Sequence, residues 1–178
     1  KNVVTGCELP SLEHDGGDVC EIAVARTEGL VVTGLTSGQI NVWDLQTKTL
    51  RLTIPPQDNH ISAIAVSSFG HCLLSGHRDG SVRVWDGHSG KSVGNLKGHR
   101  TTVCCLAISA DATLCASGGM DCAVRIWDLH SFKCIGSLRG VDSPVRSVLL
   151  TPDGKHLIAG WDDGAVRQWE IHTPRQEC

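Results

Sequence analysis

Ser117-Gly118-Gly119-Met120-Asp121-Cys122-Ala123-Val124-Arg125-Ile126-Trp127-Asp128 decides the fold, because the chain carries this stretch four times in altered form. Shifting the sequence by 42 residues brings Trp127 onto Trp85, Trp43 and Trp169, and no gap is needed anywhere. A glycine column appears at Gly34, Gly76, Gly118 and Gly160, preceded by Thr33, Ser75, Ser117 and Ala159. The acid after each tryptophan is Asp44, Asp86, Asp128 or Glu170, and six residues before the tryptophans stand Ser37, Asp79, Asp121 and Asp163. Apolar columns run through Ile22, Ile64, Leu106 and Val148, through Val24, Val66, Ile108 and Leu150, and through Leu12, Ile54, Leu96 and Leu138. A fixed period of this length makes the repeat the unit of structure. The repeats cover approximately 3–44, 45–86, 87–128 and 129–170, leaving a tail at 171–178.

Each repeat holds four short apolar segments, in the third roughly 91–97, 103–109, 114–119 and 124–128. They are rich in Val, Ile and Cys and are punctuated by turn residues such as Ser89-Gly90 and Asp111-Ala112, which is strand chemistry. No segment sustains a helical period. Four strands in one such unit make a small antiparallel sheet, so the expected fold is an all-β propeller of four four-stranded blades.

Composition narrows the function. The chain has 178 residues, 40% hydrophobic and 20% charged, with a net charge of −3; it has enough apolar content for a core and no general attraction for nucleic acid or anionic membrane. No apolar run is long enough for a membrane-spanning helix. Nine cysteines, without a CxxC pair or a leader-like segment, suggest free thiols in the cytoplasm or nucleus. His88, His130 and His172 form a column after the third strand, but stacked sheets lie about 10 Å apart, too far for the three to share one metal ion. No metal or cofactor is expected.

The stretch Gly98-His99, then Ser117-Gly118-Gly119-Met120-Asp121, then Val124-Arg125-Ile126-Trp127-Asp128 resembles the WD-repeat β-propeller family over nearly the whole chain. The resemblance implies that 47–54, 91–97 and 133–139 are outer strands and that 3–12 is an outer strand with no preceding blade in this chain. It also implies a structural network of histidine, Ser or Thr, aspartate and tryptophan, complete only in the third repeat as His99, Ser117, Asp121 and Trp127. The second repeat keeps Ser75, Asp79 and Trp85 with Gln57 in the histidine column. The fourth keeps Asp163 and Trp169, with Val141 and Ala159. The first keeps Thr33 and Trp43, with Asp15 and Ser37. Ser117, His99 and Asp121 also form the residue set of a hydrolase triad, but a recurring network with an indole donor is the stronger reading.

By the same resemblance the function is that of a non-catalytic scaffold binding proteins or peptides. One face would carry Arg78, Met120 and Asp162 with the entering-loop residues Arg100 and Asp142, and His77 and Trp161 stand one step earlier. Trp161, outside the tryptophan column, is expected either as an exposed anchor or as cover for a blade edge. The alternatives are an enzymatic or ligand-binding propeller with its site in the central channel, and a ubiquitin-ligase substrate receptor. The receptor subgroup often carries Arg or Lys where this chain has Gln46, His88, His130 and His172. Four repeats, starting at Lys1, lead to the expectation of a larger ring of seven or eight blades, completed by further blades of a longer protein or by a second copy. A closed four-blade ring is the third possibility.

Overall fold

The computed structural model describes residues 17–139 and 142–172. The first sheet comprises β1 (Val19–Ala25), β2 (Leu30–Leu35), β3 (Ile40–Asp44) and β4 (Thr49–Ile54). The second comprises β5 (Ile61–Val66), β6 (Cys72–His77), β7 (Val82–Asp86) and β8 (Ser92–Leu96). The third comprises β9 (Val103–Ile108), β10 (Leu114–Gly119), β11 (Ala123–Asp128) and β12 (Lys133–Arg139). The fourth has three strands among the described residues: β13 (Val145–Leu150), β14 (His156–Trp161) and β15 (Val166–Glu170). Each sheet is an antiparallel meander in chain order, and the innermost strands β1, β5, β9 and β13 neighbour one another in sequence. The outer strand expected at 3–12 lies outside the described residues, as do Asp15 and Val141.

The hydrophobic core sits between sheets. Strand side chains alternate between faces, and both faces of these strands are apolar, so a single sheet cannot bury its own surface. Ile40 and Val42 of the first sheet pack against Ile61, Ile64, Leu73 and Trp85 of the second. Val82 and Val84 meet Val103, Cys115 and Trp127 of the third, and Val124 and Ile126 meet Val145, Val148 and Leu157 of the fourth. Each sheet therefore has a leading face, carrying its tryptophan toward the sheet before, and a trailing face covered by the sheet after.

The glycine column belongs to these joints. A Cβ on Gly34 would lie 2.5 Å from Ile64 Cδ1 and one on Gly76 would lie 2.8 Å from Val103 Cγ1, while Gly118 faces Val145 still more closely. Only a residue without a side chain lets the next innermost strand approach. A register shift after the first residue of each innermost strand recurs in all four sheets, between Val19/Glu21, Ile61/Ala63, Gly118/Gly119 and Val145/Ser147. In the second sheet the extra residue turns both Ile61 and Ile64 onto Gly34.

In the first three sheets the aspartate after the tryptophan closes the next turn. Asp44 Oδ1 accepts backbone N–H groups of Gln46 and Thr47, Asp86 those of His88 and Ser89, and Asp128 those of His130 and Ser131. The Thr47 N–H leads in lowering the Asp44 pKa, the Ser89 hydroxyl that of Asp86, and the Ser131 N–H that of Asp128. These are Asx turns, and they give His88 and His130 a backbone role in the turn.

Candidate functional site

In the third sheet the loop before β9, the strand β10, the turn after it and the strand β11 bring His99, Ser117, Asp121 and Trp127 together. Trp127 Nε1–H donates to Ser117 Oγ at 2.8 Å, Ser117 Oγ lies 2.8 Å from His99 Nε2, and His99 Nδ1 lies 2.8 Å from Asp121 Oδ1. An indole only donates and a carboxylate only accepts, which fixes every proton. Ser117 donates to Nε2, and Nδ1–H donates to Asp121. Burial lowers the His99 pKa below the ordinary imidazole range against the pull of Asp121, so the ring is neutral, as this order requires. Burial raises the Asp121 pKa, but the hydrogen bonds from His99 and from the Arg100 and Ala123 backbones outweigh it and leave the carboxyl below its usual range. Ser117 is fully buried and its oxygen already accepts the indole proton. The set is therefore a locked strut between strands, without the exposed nucleophile a hydrolase needs.

The second sheet builds a shorter network from a different residue. Trp85 Nε1–H donates to Ser75 Oγ at 2.8 Å, and Ser75 Oγ lies 2.9 Å from His77 Nε2. His77 is completely buried, which corrects the expectation that it lies on a partner-binding surface. It takes the volume that His99 fills in the third sheet. There the equivalent residue is Gly119, whose missing Cβ would lie 2.7 Å from His99 Nδ1. Freed from the network, Gln57 Oε1 accepts from Arg83 Nη1 at 2.7 Å, and Asp79 is held by Ser81 and by Asn59 Nδ2 at 2.7 Å. His77 Nδ1 has no hydrogen-bond partner among the described residues.

The same column explains the other two sheets. In the first this position is Leu35, which is fully buried, and Trp43 Nε1–H reaches Thr33 Oγ1 at 3.2 Å. In the fourth it is Trp161. Buried in the joint, its ring centre lies 5.7 Å from that of Trp169 and 5.8 Å from Arg167 Cζ. The expectation of an exposed Trp161 anchor is thus corrected, and its duty is packing. Ala159 offers Trp169 no hydroxyl, and Asp163 accepts only the Ala165 N–H among the described residues. Leu35, His77, Gly119 and Trp161 thus complement the histidine column: where the histidine is absent, this position is large. The sequence carried that signal in two columns 20 residues apart.

The remaining residues of the expected partner face are on the surface. Arg78, Arg100, Met120, Asp142 and Asp162 are all exposed. Arg78 and Met120 line a cavity of about 480 Å³ with Ser62, Thr102, Cys104 and Arg146 at the N-terminal end of the innermost strands. Arg146 is clamped by Asp162 through two hydrogen bonds of 2.9 Å. A second cavity, of about 300 Å³, opens at the other end among Val24, Val66, Ile108 and Leu150 with Arg26, Ser68, Ala110 and Pro152. It takes the same two columns from all four sheets and has no carboxylate, imidazole or thiol for acid–base or nucleophilic chemistry. Among the described residues no group of three or more His, Cys, Asp or Glu is placed to hold a metal.

No curated protein matches the chain. The chain is similar to the computationally designed Ika4 protein, at 26% identity over 94% of this chain and 100% of that one, with a TM-score of 0.79. A family model described as WD domain, G-beta repeat matches at 48–86, 90–128 and 132–170. Those matches take in more than half of the sequence and fall on the sheets whose tryptophans face the preceding sheet, and so the chain belongs to the WD40 repeat family.

Proposed function

We propose that this chain is a non-catalytic docking module that captures a partner segment carrying an acidic residue beside an apolar one. The observation that carries this reading is the cavity at the N-terminal end of the innermost strands. Its wall pairs the Arg78 guanidinium with the exposed Met120 thioether, and Arg100 stands on the adjoining loop. WD40 repeats in general serve protein interaction, and their connecting loops vary without disturbing the sheets. Arg146 is neutralised by Asp162, so Arg78 and Arg100 are left to meet a carboxylate while Met120 adapts to a flanking apolar side chain. The free thiols at the described cysteines suit a reducing compartment.

The test is a screen of fluorescent peptides with an acidic–apolar pair against the chain and its Arg78→Glu and Met120→Asp variants. Both side chains are exposed, so the variants retain the melting temperature. Binding that weakens at least tenfold in each supports the reading, as expected for a desolvated contact. Equal binding to all three proteins refutes it.

A further inference from the structure

We propose that His71 and His88 form a two-imidazole site for a divalent transition-metal ion, and that Arg51 of the first sheet restrains it. The fold itself brings the two positions together. In every sheet the residue before the second strand accepts a backbone hydrogen bond from the residue two after the tryptophan: Gly29 from Leu45, His71 from Gly87, Thr113 from Leu129 and Lys155 from Ile171. The next position, Gln46, His88, His130 or His172, is thereby carried to the same corner of its sheet. Only the second sheet has a histidine on both sides of that corner. Gly87 draws it tighter, because a Cβ there would run into the Gly70 carbonyl oxygen, whereas the other sheets have Leu45, Leu129 and Ile171. Asp86 Oδ1 accepts the His88 N–H at 3.2 Å, and the Phe69 ring stacks on that of His71 with centres 6.2 Å apart and planes 15° apart.

His71 Nδ1 and His88 Nε2 lie within hydrogen-bond distance, with ring centres 4.6 Å apart, and Arg51 Nη2 lies 3.4 Å from His88 Nδ1. A guanidinium only donates, so His88 accepts at Nδ1, carries its proton on Nε2 and donates that proton to His71 Nδ1. His71 therefore already aims a lone pair at His88. Moving the His88 proton from Nε2 to Nδ1 aims a second lone pair at the same point. An ion bound by both nitrogens at about 2.0–2.1 Å holds them about 3 Å apart, which takes only a small turn of two exposed rings. Imidazole suits late first-row divalent ions. No third His, Cys, Asp or Glu joins the pair among the described residues, so water completes the coordination, and the Asp86 carboxylate at the base of the turn offsets part of the charge. Arg51 acts in the opposite sense: it holds the His88 proton on the ligating nitrogen and sets a like charge beside the ion.

Nickel(II) is the probe, because zinc and copper also seek thiols and Cys20 and Cys134 are exposed. Calorimetric titration of the ion into the full chain, with the histidine ring signals followed by NMR, is run on the parent and on His71→Gln, His88→Gln, Arg51→Gln and His130→Gln. All these side chains are exposed, so melting without metal stays unchanged. The expected result is a bound ion that broadens the His71 and His88 ring signals together. Affinity falls at least about tenfold in either of those histidine variants, rises about tenfold in Arg51→Gln, and is unchanged in His130→Gln, where the corner partner is Thr113. A parent that takes up no nickel at millimolar metal overturns the proposal. So does binding that survives either the His71 or the His88 substitution, or an Arg51→Gln variant that binds no tighter than the parent.

Discussion

Replacing Gln57 by His and His77 by Gly would rebuild in the second sheet the network that the third sheet has. The backbone already allows it. A Cβ on Gly38 would lie 2.6 Å from Gln57 O and 3.0 Å from Asn59 O, and one on Gly80 would lie 2.6 Å from His99 O and 2.9 Å from Thr101 O. The two entering loops therefore sit alike. His77→Gly alone removes a fully buried ring and the partner of Ser75, at about 3 kcal/mol. Gln57→His alone crowds a second imidazole against His77 and deprives Arg83 of its acceptor, at about 1 kcal/mol. In the double variant the introduced imidazole occupies the vacated space between Ser75 and Asp79. Only the Arg83 bond stays lost, so the total is about 1 kcal/mol. The coupling is then about 3 kcal/mol, the upper end for residues sharing a network. Urea denaturation followed by tryptophan fluorescence measures all four proteins. If the double variant loses the sum of the single losses, the two positions do not share one volume and the argument fails.

Trp127→Ala should cost about 3–5 kcal/mol and Asp121→Ala about 1–3 kcal/mol, read as a fall in melting temperature; an unchanged melt removes the structural role of the third-sheet network. Cys122 holds φ at 62° where Gly38, Gly80 and Gly164 have 85°, 83° and 87°, so Cys122→Gly should stabilise by about 1 kcal/mol, checked by the same melts. Burial depresses the pKa of both His77 and His99, so the unfolded chain takes up their protons first as pH falls. Stability should be level above about 6.5, the free imidazole value, and should decline below it; His99→Gln should flatten that decline in the denaturation midpoint. Burial raises the Cys105 thiol to about 12 and that of Cys72 to about 11, while Cys134 is exposed. Iodoacetamide followed by mass spectrometry should label Cys134 in the folded chain and Cys72 and Cys105 only after unfolding, because the thiolate is the reactive form.

The period, read from sequence, located the strands within a residue or two. The segments at 103–109 and 114–119 became Val103–Ile108 and Leu114–Gly119. The network of the third repeat was equally legible, because a histidine, a serine, an aspartate and a tryptophan in fixed columns can satisfy one another only when strand pairing brings them together. His77 proves to be buried and Trp161 takes the blade-edge packing role of its two expected roles, because their position follows Ser75 or Ala159 by two residues on the second strand. Whether that position points into the joint depends on the volume left by a loop 20 residues earlier in the chain.

The sequence by itself determined the repeat, the strand order, the turn-closing aspartates and the glycine column, since each follows from spacing within one unit. Only the tertiary structure decided which faces are covered. Ile22 and Ile64 are the same residue in the same column, and so are Val82 and Val166. They differ in exposure because burial belongs to the neighbouring sheet, which no local pattern encodes.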